Sequence, residues 1–354
     1  MPRHVAVVGS NGKTSTATFL GRLLRPHVHV GVFTSPHLER WSERVTIDGV
    51  EVDVGDLADA VERLHERGAA ASGLRFFDLL TLAAEEIFAA AGVEIAVVEA
   101  GIGGRLDPVR LTRPELVALT RIDFEHTELL GDTREAILRE KLAVGSPGAH
   151  VVAGSLGELG PVALDAAHEL GLTIELGPAE RLRPFQRENA RLARRVAEVA
   201  LGARVEALDT TATEVRGRFE IGVVEDVPFV ADVAHNAAAW STLFAELCRS
   251  PRVAVVALTH ERPVEALAEE LARDGLTIAT VATTVPGDRG VDPEALCAAL
   301  DRCNPEPDRP GAFRRGLDLA RSNGALLVVF GATYVVGEFL AWARERGYSP
   351  KPGS

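Results

Sequence analysis

The chain is poor in residues that mark several protein classes. Its 354 residues include three cysteines, one methionine and two tyrosines. Cys248, Cys297 and Cys303 leave no CxxC pair and read as reduced thiols of a cytoplasmic protein. No apolar run approaches the roughly 20 residues that cross a bilayer, so no membrane partner is expected. The opening Met1-Pro2-Arg3-His4 leads directly into an apolar segment and carries no signal-peptide pattern. Positive charge is also short: 38 Lys and Arg stand against 51 Asp and Glu, a net charge of −13. That balance favours solubility and argues against a nucleic-acid partner. No Asn-Lys-x-Asp run is present, which disfavours a guanine-nucleotide switch.

What remains is an ordinary globular composition, 46% hydrophobic and 25% charged, long enough for two cores. Short apolar runs alternate with amphipathic stretches, the pattern of a parallel sheet covered by helices on both faces. Strands are predicted at Ile95–Val98, Leu116–Leu119, Val151–Ala153, Pro228–Ala231, Val253–Ala257, Thr277–Val281 and Leu326–Phe330. Val28, Val30 and Val32 alternate toward Thr34-Ser35. Helices are predicted at Phe77–Ala91, Pro293–Leu300 and Val336–Arg346. The polar stretch Asp209–Glu214 reads as the hinge, dividing the chain into domains 1–213 and 214–354.

One run carries the strongest chemical signal. Val5-Ala6-Val7-Val8 ends in Gly9, turns through Ser10-Asn11-Gly12, presents Lys13 and enters a helix at Thr14-Ser15-Thr16. Backbone N–H groups of such a turn, with a helix N-terminus behind them, form an anion cradle. Lys13 is expected against the β- and γ-phosphates, with the Thr14 hydroxyl on Mg²⁺. The loop is shorter than the common eight-residue phosphate loop.

Further polar clusters fall at strand ends, where open α/β sheets place ligands. Ser35, in Thr34-Ser35-Pro36-His37-Leu38, offers a hydroxyl, although such a serine alone is more often a turn residue. Glu99 closes an apolar strand, where a carboxylate is costly to bury unless a cation answers it. The glycines of Gly101-Ile102-Gly103-Gly104 miss the dinucleotide fingerprint and read as a turn that lets backbone approach a ligand. His126 is a metal-ligand candidate, with Asp123 and Glu125 as its partners. Arg139-Glu140-Lys141 lies on a helix capped by Thr133; taken alone it would be a solvated charged face. In the second domain Asp232, His235 and Asn236 converge at a strand end, with Arg218 nearby as a phosphate cation. For Asp232 the plain alternative is an Asx turn, and for Arg218 a surface ion pair.

Taken together and in this order, the clusters resemble the folylpolyglutamate synthase branch of the Mur ligase superfamily, from about Val5 to Phe339. Gly9–Ser15 is similar to the family's phosphate loop, and Thr34–Leu38 with Ser42-Glu43-Arg44 to its Thr-Ser-Pro-His-Leu block and the Glu-Arg run after it. Phe76–Thr81, Glu99–Asp107, Glu125–Gly131, Arg139–Lys141, Gln186–Asn189, Gly217–Glu220, Asp232–Asn236 and Tyr334–Glu338 continue the series. The implied fold is a doubly wound, phosphate-loop-containing Mur-ligase central domain followed by a smaller Rossmann-like α/β domain.

The implied chemistry is ATP-dependent amide ligation through an acyl phosphate. Gly9, Asn11, Gly12, Lys13, Thr14 and Ser15 would hold the nucleotide. Thr14, Ser35 and Glu99 would hold Mg²⁺, and His126 with Lys141 a second metal site. Lys141 corresponds to the lysine that the superfamily carbamylates. Lys13, His126 and Lys141 would be the catalytic set. Asn189, Arg218, Asp232 and His235 would close the nucleotide site from the second domain or present the amino acid.

The implied substrates are a small carboxylic acid, pterin- or folate-like in one-carbon metabolism, and an amino acid, L-glutamate by preference. The enzyme would be cytoplasmic, a monomer or small homo-oligomer. Three departures bear on the acid: Pro108-Val109-Arg110 after Asp107, Glu125 where the family has aspartate, and Leu258-Thr259-His260-Glu261-Arg262 after a second-domain strand. A specialised ligase acting on a non-folate acid is the alternative. A catalytically quiet nucleotide-binding subunit is the alternative from another class.

Overall fold

The computed structural model describes residues 2–68, 73–178, 180–210 and 215–350. The chain forms two compact units, Met1–Thr210 and Thr211–Ser354. Residues 211–214 of the expected hinge lie outside the described residues.

The first unit opens with β1 (Arg3–Val8), α1 (Lys13–Leu24), β2 (Val30–Phe33), β3 (Val45–Ile47), β4 (Val50–Glu51), α2 (Val54–Glu66) and α3 (Phe76–Ala90). It continues through β5 (Ile95–Glu99), β6 (Leu116–Leu119), α4 (Thr127–Leu130), α5 (Arg134–Leu142), β7 (His150–Ala153), α6 (Gly160–Glu169), β8 (Thr173–Glu175) and α7 (Phe185–Leu201). The eight strands form one sheet in the order β4-β3-β2-β5-β1-β6-β7-β8. Along the sheet, pairing is parallel from β2 to β8, and only the β2–β3 and β3–β4 pairings are antiparallel. The central strands read as continuous apolar runs because helices cover both faces. For that reason Val30, Gly31, Val32 and Phe33 are all buried.

The second unit comprises β9 (Glu220–Val224), β10 (Val227–Asp232), α8 (Ala237–Glu246), β11 (Arg252–Ala257), α9 (Val264–Asp274), β12 (Thr277–Ala282), α10 (Pro293–Ala299), β13 (Cys303–Pro305), α11 (Arg309–Asn323), β14 (Leu326–Gly331) and α12 (Thr333–Arg344). Its six-stranded sheet has the order β13-β12-β11-β14-β10-β9, antiparallel only at β9. Trp240, Leu243, Val256, Leu267 and Phe330 sit in its core. Cys297 and Cys303 are joined in a disulfide, which corrects the reading of all three cysteines as reduced; only Cys248 is a free thiol. Among the described residues no helix is long and apolar enough to cross a membrane.

Candidate active site

Parallel strands β1, β5 and β6 end side by side, and the loops leaving them carry the polar residues. The turn after β1 is braced by the segment after β6. Ser10 N and Oγ donate to the carbonyls of Arg121 (2.7 Å) and Asp123 (2.9 Å), and Asn11 Nδ2 donates to Asp123 Oδ2 at 2.9 Å. Thr120 Oγ1 donates to the Asn11 carbonyl at 2.9 Å. Asp123, expected beside His126, therefore serves the phosphate loop. Gly12, the residue before α1, has φ +90°, and a Cβ there would lie 2.5 Å from Asn189 Oδ1. Only glycine lets the loop pass so close to α7.

That contact also corrects the expected place of Asn189. It belongs to the first unit, because α7 buries Ala190, Ala193, Val196 and Ala197 and packs against α1. Lys13 Nζ folds back over the loop, donating to the carbonyls of Gly9 (2.8 Å) and Ser10 (3.4 Å). Ser15 is buried in the first turn of α1.

Thr14, Glu99 and Ser35 meet beside this loop. Thr14 Oγ1 donates to Glu99 Oε1 at 3.1 Å, and the Ser35 backbone N–H donates to Glu99 Oε2 at 3.1 Å. Glu99 is 1% exposed at the end of an entirely buried strand. A carboxylate with one hydroxyl on it and the backbone of a second hydroxyl-bearing residue beside it, next to a phosphate cradle, offers oxygen donors of the kind a hard divalent cation takes along with phosphate and water. Among the described residues no group of three or more His, Cys, Asp or Glu forms an all-protein metal cage.

A second cluster lies on α5. Thr133 caps this helix, accepting from Ala136 N, and the helix carries Lys141 inward to 1% exposure. The solvated-face alternative for Lys141 is thereby excluded. Lys141 Nζ lies 2.6 Å from Glu125 Oε1. Burial pushes the Lys141 amine down to about 8, helped by Lys13 and opposed by Glu125. Burial would raise Glu125, but Lys13 and Lys141 outweigh it and hold the carboxyl below its usual range.

Asp107, missed as a site residue, is raised to about 6 by burial, against N–H bonds from Val109 and Gly101. The glycine turn after β5 seats on this helix: a Cβ on Gly104 would lie 2.5 Å from the Lys141 carbonyl. His126 adopts φ +44° as it caps α4, with Nδ1 3.7 Å from Glu128 Oε1.

In the second unit β10 delivers Asp232, whose Oδ1 accepts from Ala234 N and Oδ2 from Phe219 N, each at 2.7 Å. The first bond is an Asx turn; the second ties it to the residue after Arg218. Burial raises Asp232 to about 6, against the Arg218 charge. His235 Nδ1 lies 2.7 Å from the Val233 carbonyl, so Nδ1 carries the proton. Asn236 caps α8 through Ala239 N.

Sequence reasoning also passed over Arg44. It is 5% exposed, donating from Nη1 to Ser35 Oγ at 3.2 Å and from Nε to His37 Nδ1 at 2.9 Å. Its only signal was its place in the Ser42-Glu43-Arg44 run. Burial, then the Arg44 charge, lowers His37 to about 4, which keeps its ring a neutral acceptor.

Residues 217–333 match the family model described as Mur ligase, glutamate ligase domain. A probable bifunctional folylpolyglutamate synthase/dihydropteroate synthase of Haloferax volcanii is 32% identical across 96% of this chain. The chain spans 46% of that relative's length. The crystal structure of a bifunctional folylpolyglutamate synthase/dihydrofolate synthase from Yersinia pestis, complexed with AMPPNP and Mn ion, has a TM-score of 0.83 at 26% identity. It covers 96% of this chain and 88% of that one. A structure of a bifunctional folylpolyglutamate synthase/dihydrofolate synthase with Mn, AMPPNP and L-glutamate bound has a TM-score of 0.82 at 26% identity, covering 96% of this chain and 89% of that one.

The chain is similar to the folylpolyglutamate synthase/dihydrofolate synthase family of the Mur ligases. The two sheets described above are that family's fold, and the family likeness runs through both units.

Proposed function

We propose that the chain is an ATP-dependent, ADP-forming ligase that joins a carboxylic acid to an amino acid, with a folate-type acid and L-glutamate as the substrates. The observation that carries this reading is the meeting of Thr14, Glu99 and Ser35 beside a glycine turn held in place by the segment after β6. The AMPPNP, Mn and L-glutamate held by similar chains support it.

Thr14, Glu99 and Ser35 would hold the divalent cation, which when bound neutralises charge on the phosphate oxygens. Lys13 exchanges its carbonyl partners for the β- and γ-phosphates. A substrate carboxylate oxygen attacks the γ-phosphorus and ADP leaves; the amine then attacks the acyl carbon and expels phosphate. Most of the catalysis is positioning and charge stabilisation.

Lys141 is the candidate carbamate. Its neutral amine would take up CO₂ and release one proton, turning a cation into a ligand anion for a second divalent site with His126. The burial that lowers its affinity for a proton favours that reaction. Asn189 would face the nucleotide across Gly12, while Arg218, Asp232 and His235 would supply nucleotide or amino-acid contacts from the second unit. A non-folate acid is the second reading, favoured by Pro108-Val109-Arg110, where the turn after Asp107 becomes a short 3₁₀ helix.

The test is ADP release with MgATP, comparing dihydropteroate or tetrahydrofolate plus L-glutamate with each alone. ADP formed only with both, and a product heavier by one glutamyl unit, supports the folate reading. ADP formed with other acids and L-glutamate, but not with these two, moves the assignment to the second reading.

A further inference from the structure

Arg44 is a buried guanidinium with a defined post on every side. Its Nη1 donates to Ser35 Oγ, its Nε donates to His37 Nδ1, and its face lies 5.4 Å from the Trp41 ring centroid and 6.0 Å from that of Phe76. Trp41 packs edge-on against Phe76 at 4.8 Å and stacks obliquely on His37 at 4.3 Å, so the rings clamp the guanidinium in one orientation. The Ser35 N–H is committed to Glu99, which fixes the backbone but leaves the hydroxyl to rotate. A hydroxyl has two lone pairs and one proton. The bond from Arg44 occupies one lone pair and so sets the direction of the other.

We propose that Arg44 is a positioning residue for the divalent-cation site, holding the Ser35 hydroxyl so that its second lone pair faces the place where Thr14 and Glu99 meet. The inference rests on the reading of Thr14, Glu99 and Ser35 as the cation's protein ligands. It has an unusual sign. A guanidinium one side chain away repels a cation, so an Arg44 that acted only through its charge would weaken metal binding, and its removal would tighten it. A positioning role requires the opposite, because the loss of a group that orients a ligand typically costs about 10- to 100-fold in metal affinity.

The experiment is a Mn²⁺ titration in the presence of AMPPNP, with unbound Mn²⁺ read by electron paramagnetic resonance and folding checked by circular dichroism. Arg44→Met is expected to weaken Mn²⁺ binding at least about tenfold. Arg44→Lys, which keeps one donor, is expected to recover part of the loss. If Arg44→Met does not fold, the comparison becomes Arg44→Lys alone and in a Ser35→Ala background, where no further loss is expected. Unchanged or tighter Mn²⁺ binding in Arg44→Met, with Glu99→Gln still weakening it, overturns the positioning role and leaves the site assignment standing. Unchanged Mn²⁺ binding in Glu99→Gln removes both.

Discussion

Lys141 Nζ lies 2.6 Å from Glu125 Oε1, with both side chains almost inaccessible to solvent. A buried pair of this kind is satisfied only while the lysine is a cation. Carbamylation would replace it with two facing anions, which a second divalent cation must then offset. The pair and the proposed carbamate would therefore be alternative states of one site.

The first expectation follows from that competition. The fraction of neutral Lys141 rises as pH passes through about 8, so a CO₂ adduct on Lys141 should accumulate with rising pH and with added Mg²⁺. Native mass spectrometry after bicarbonate incubation reads it. An adduct absent at every pH and Mg²⁺ concentration counts against the carbamate. Lys141→Ala should lose turnover and regain part of it with short-chain carboxylates.

Lys13 sits in the loop that it must leave to reach phosphate. Lys13→Ala should keep the fold and lower kcat by roughly two to three orders of magnitude, the usual cost of deleting one charge-stabilising donor. Near-normal ADP formation would remove the phosphate-cradle argument.

Glu99 is the one carboxylate among the residues proposed for the first cation site. Glu99→Gln keeps the shape and the acceptor for Ser35 N but loses the charge. The Mg²⁺ concentration for half-maximal turnover should rise by about tenfold or more. A superimposable Mg²⁺ titration would exclude Glu99 as a ligand.

His29 supplies a pH dependence away from the site. Its Nδ1 lies 2.6 Å from Asp48 Oδ2 and its Nε2 3.1 Å from the Ala91 carbonyl, both acceptors, so only the protonated ring satisfies both. The hydrogen bond to Asp48 is the main cause of its raised pKa. Because the folded value is raised, the stabilisation is fully present below the ordinary histidine value of about 6.5 and is lost as pH climbs through the raised one. The urea midpoint of His29→Gln should fall below that of the unaltered chain at about pH 5 and approach it at about pH 9. An equal gap at both pH values would contradict this.

The sequence carried the central strands well, because β5, β6, β11 and β14 are apolar runs bounded by turn residues. Short edge strands such as β4 and β13, two and three residues long, give too little periodicity to register. The Cys297–Cys303 bridge was also illegible, since only the fold brings the end of α10 against β13. In the site, strand-end position made Glu99 and Asp232 visible. Glu125 and Asp123 were read as one pair serving His126, yet backbone direction sends them to Lys141 and to Asn11. Arg44 was hidden because its meaning lies in four contacts from two segments, none of which is a spacing rule.

The most direct test of the account follows oxygen. An acid substrate carrying ¹⁸O in the carboxylate that is ligated should pass one labelled oxygen to the phosphate released with ADP, because that oxygen attacks the γ-phosphorus and leaves with it. Labelled phosphate, formed only when L-glutamate is also present, is the result the proposed acyl phosphate requires. Unlabelled phosphate alongside ligated product would contradict it.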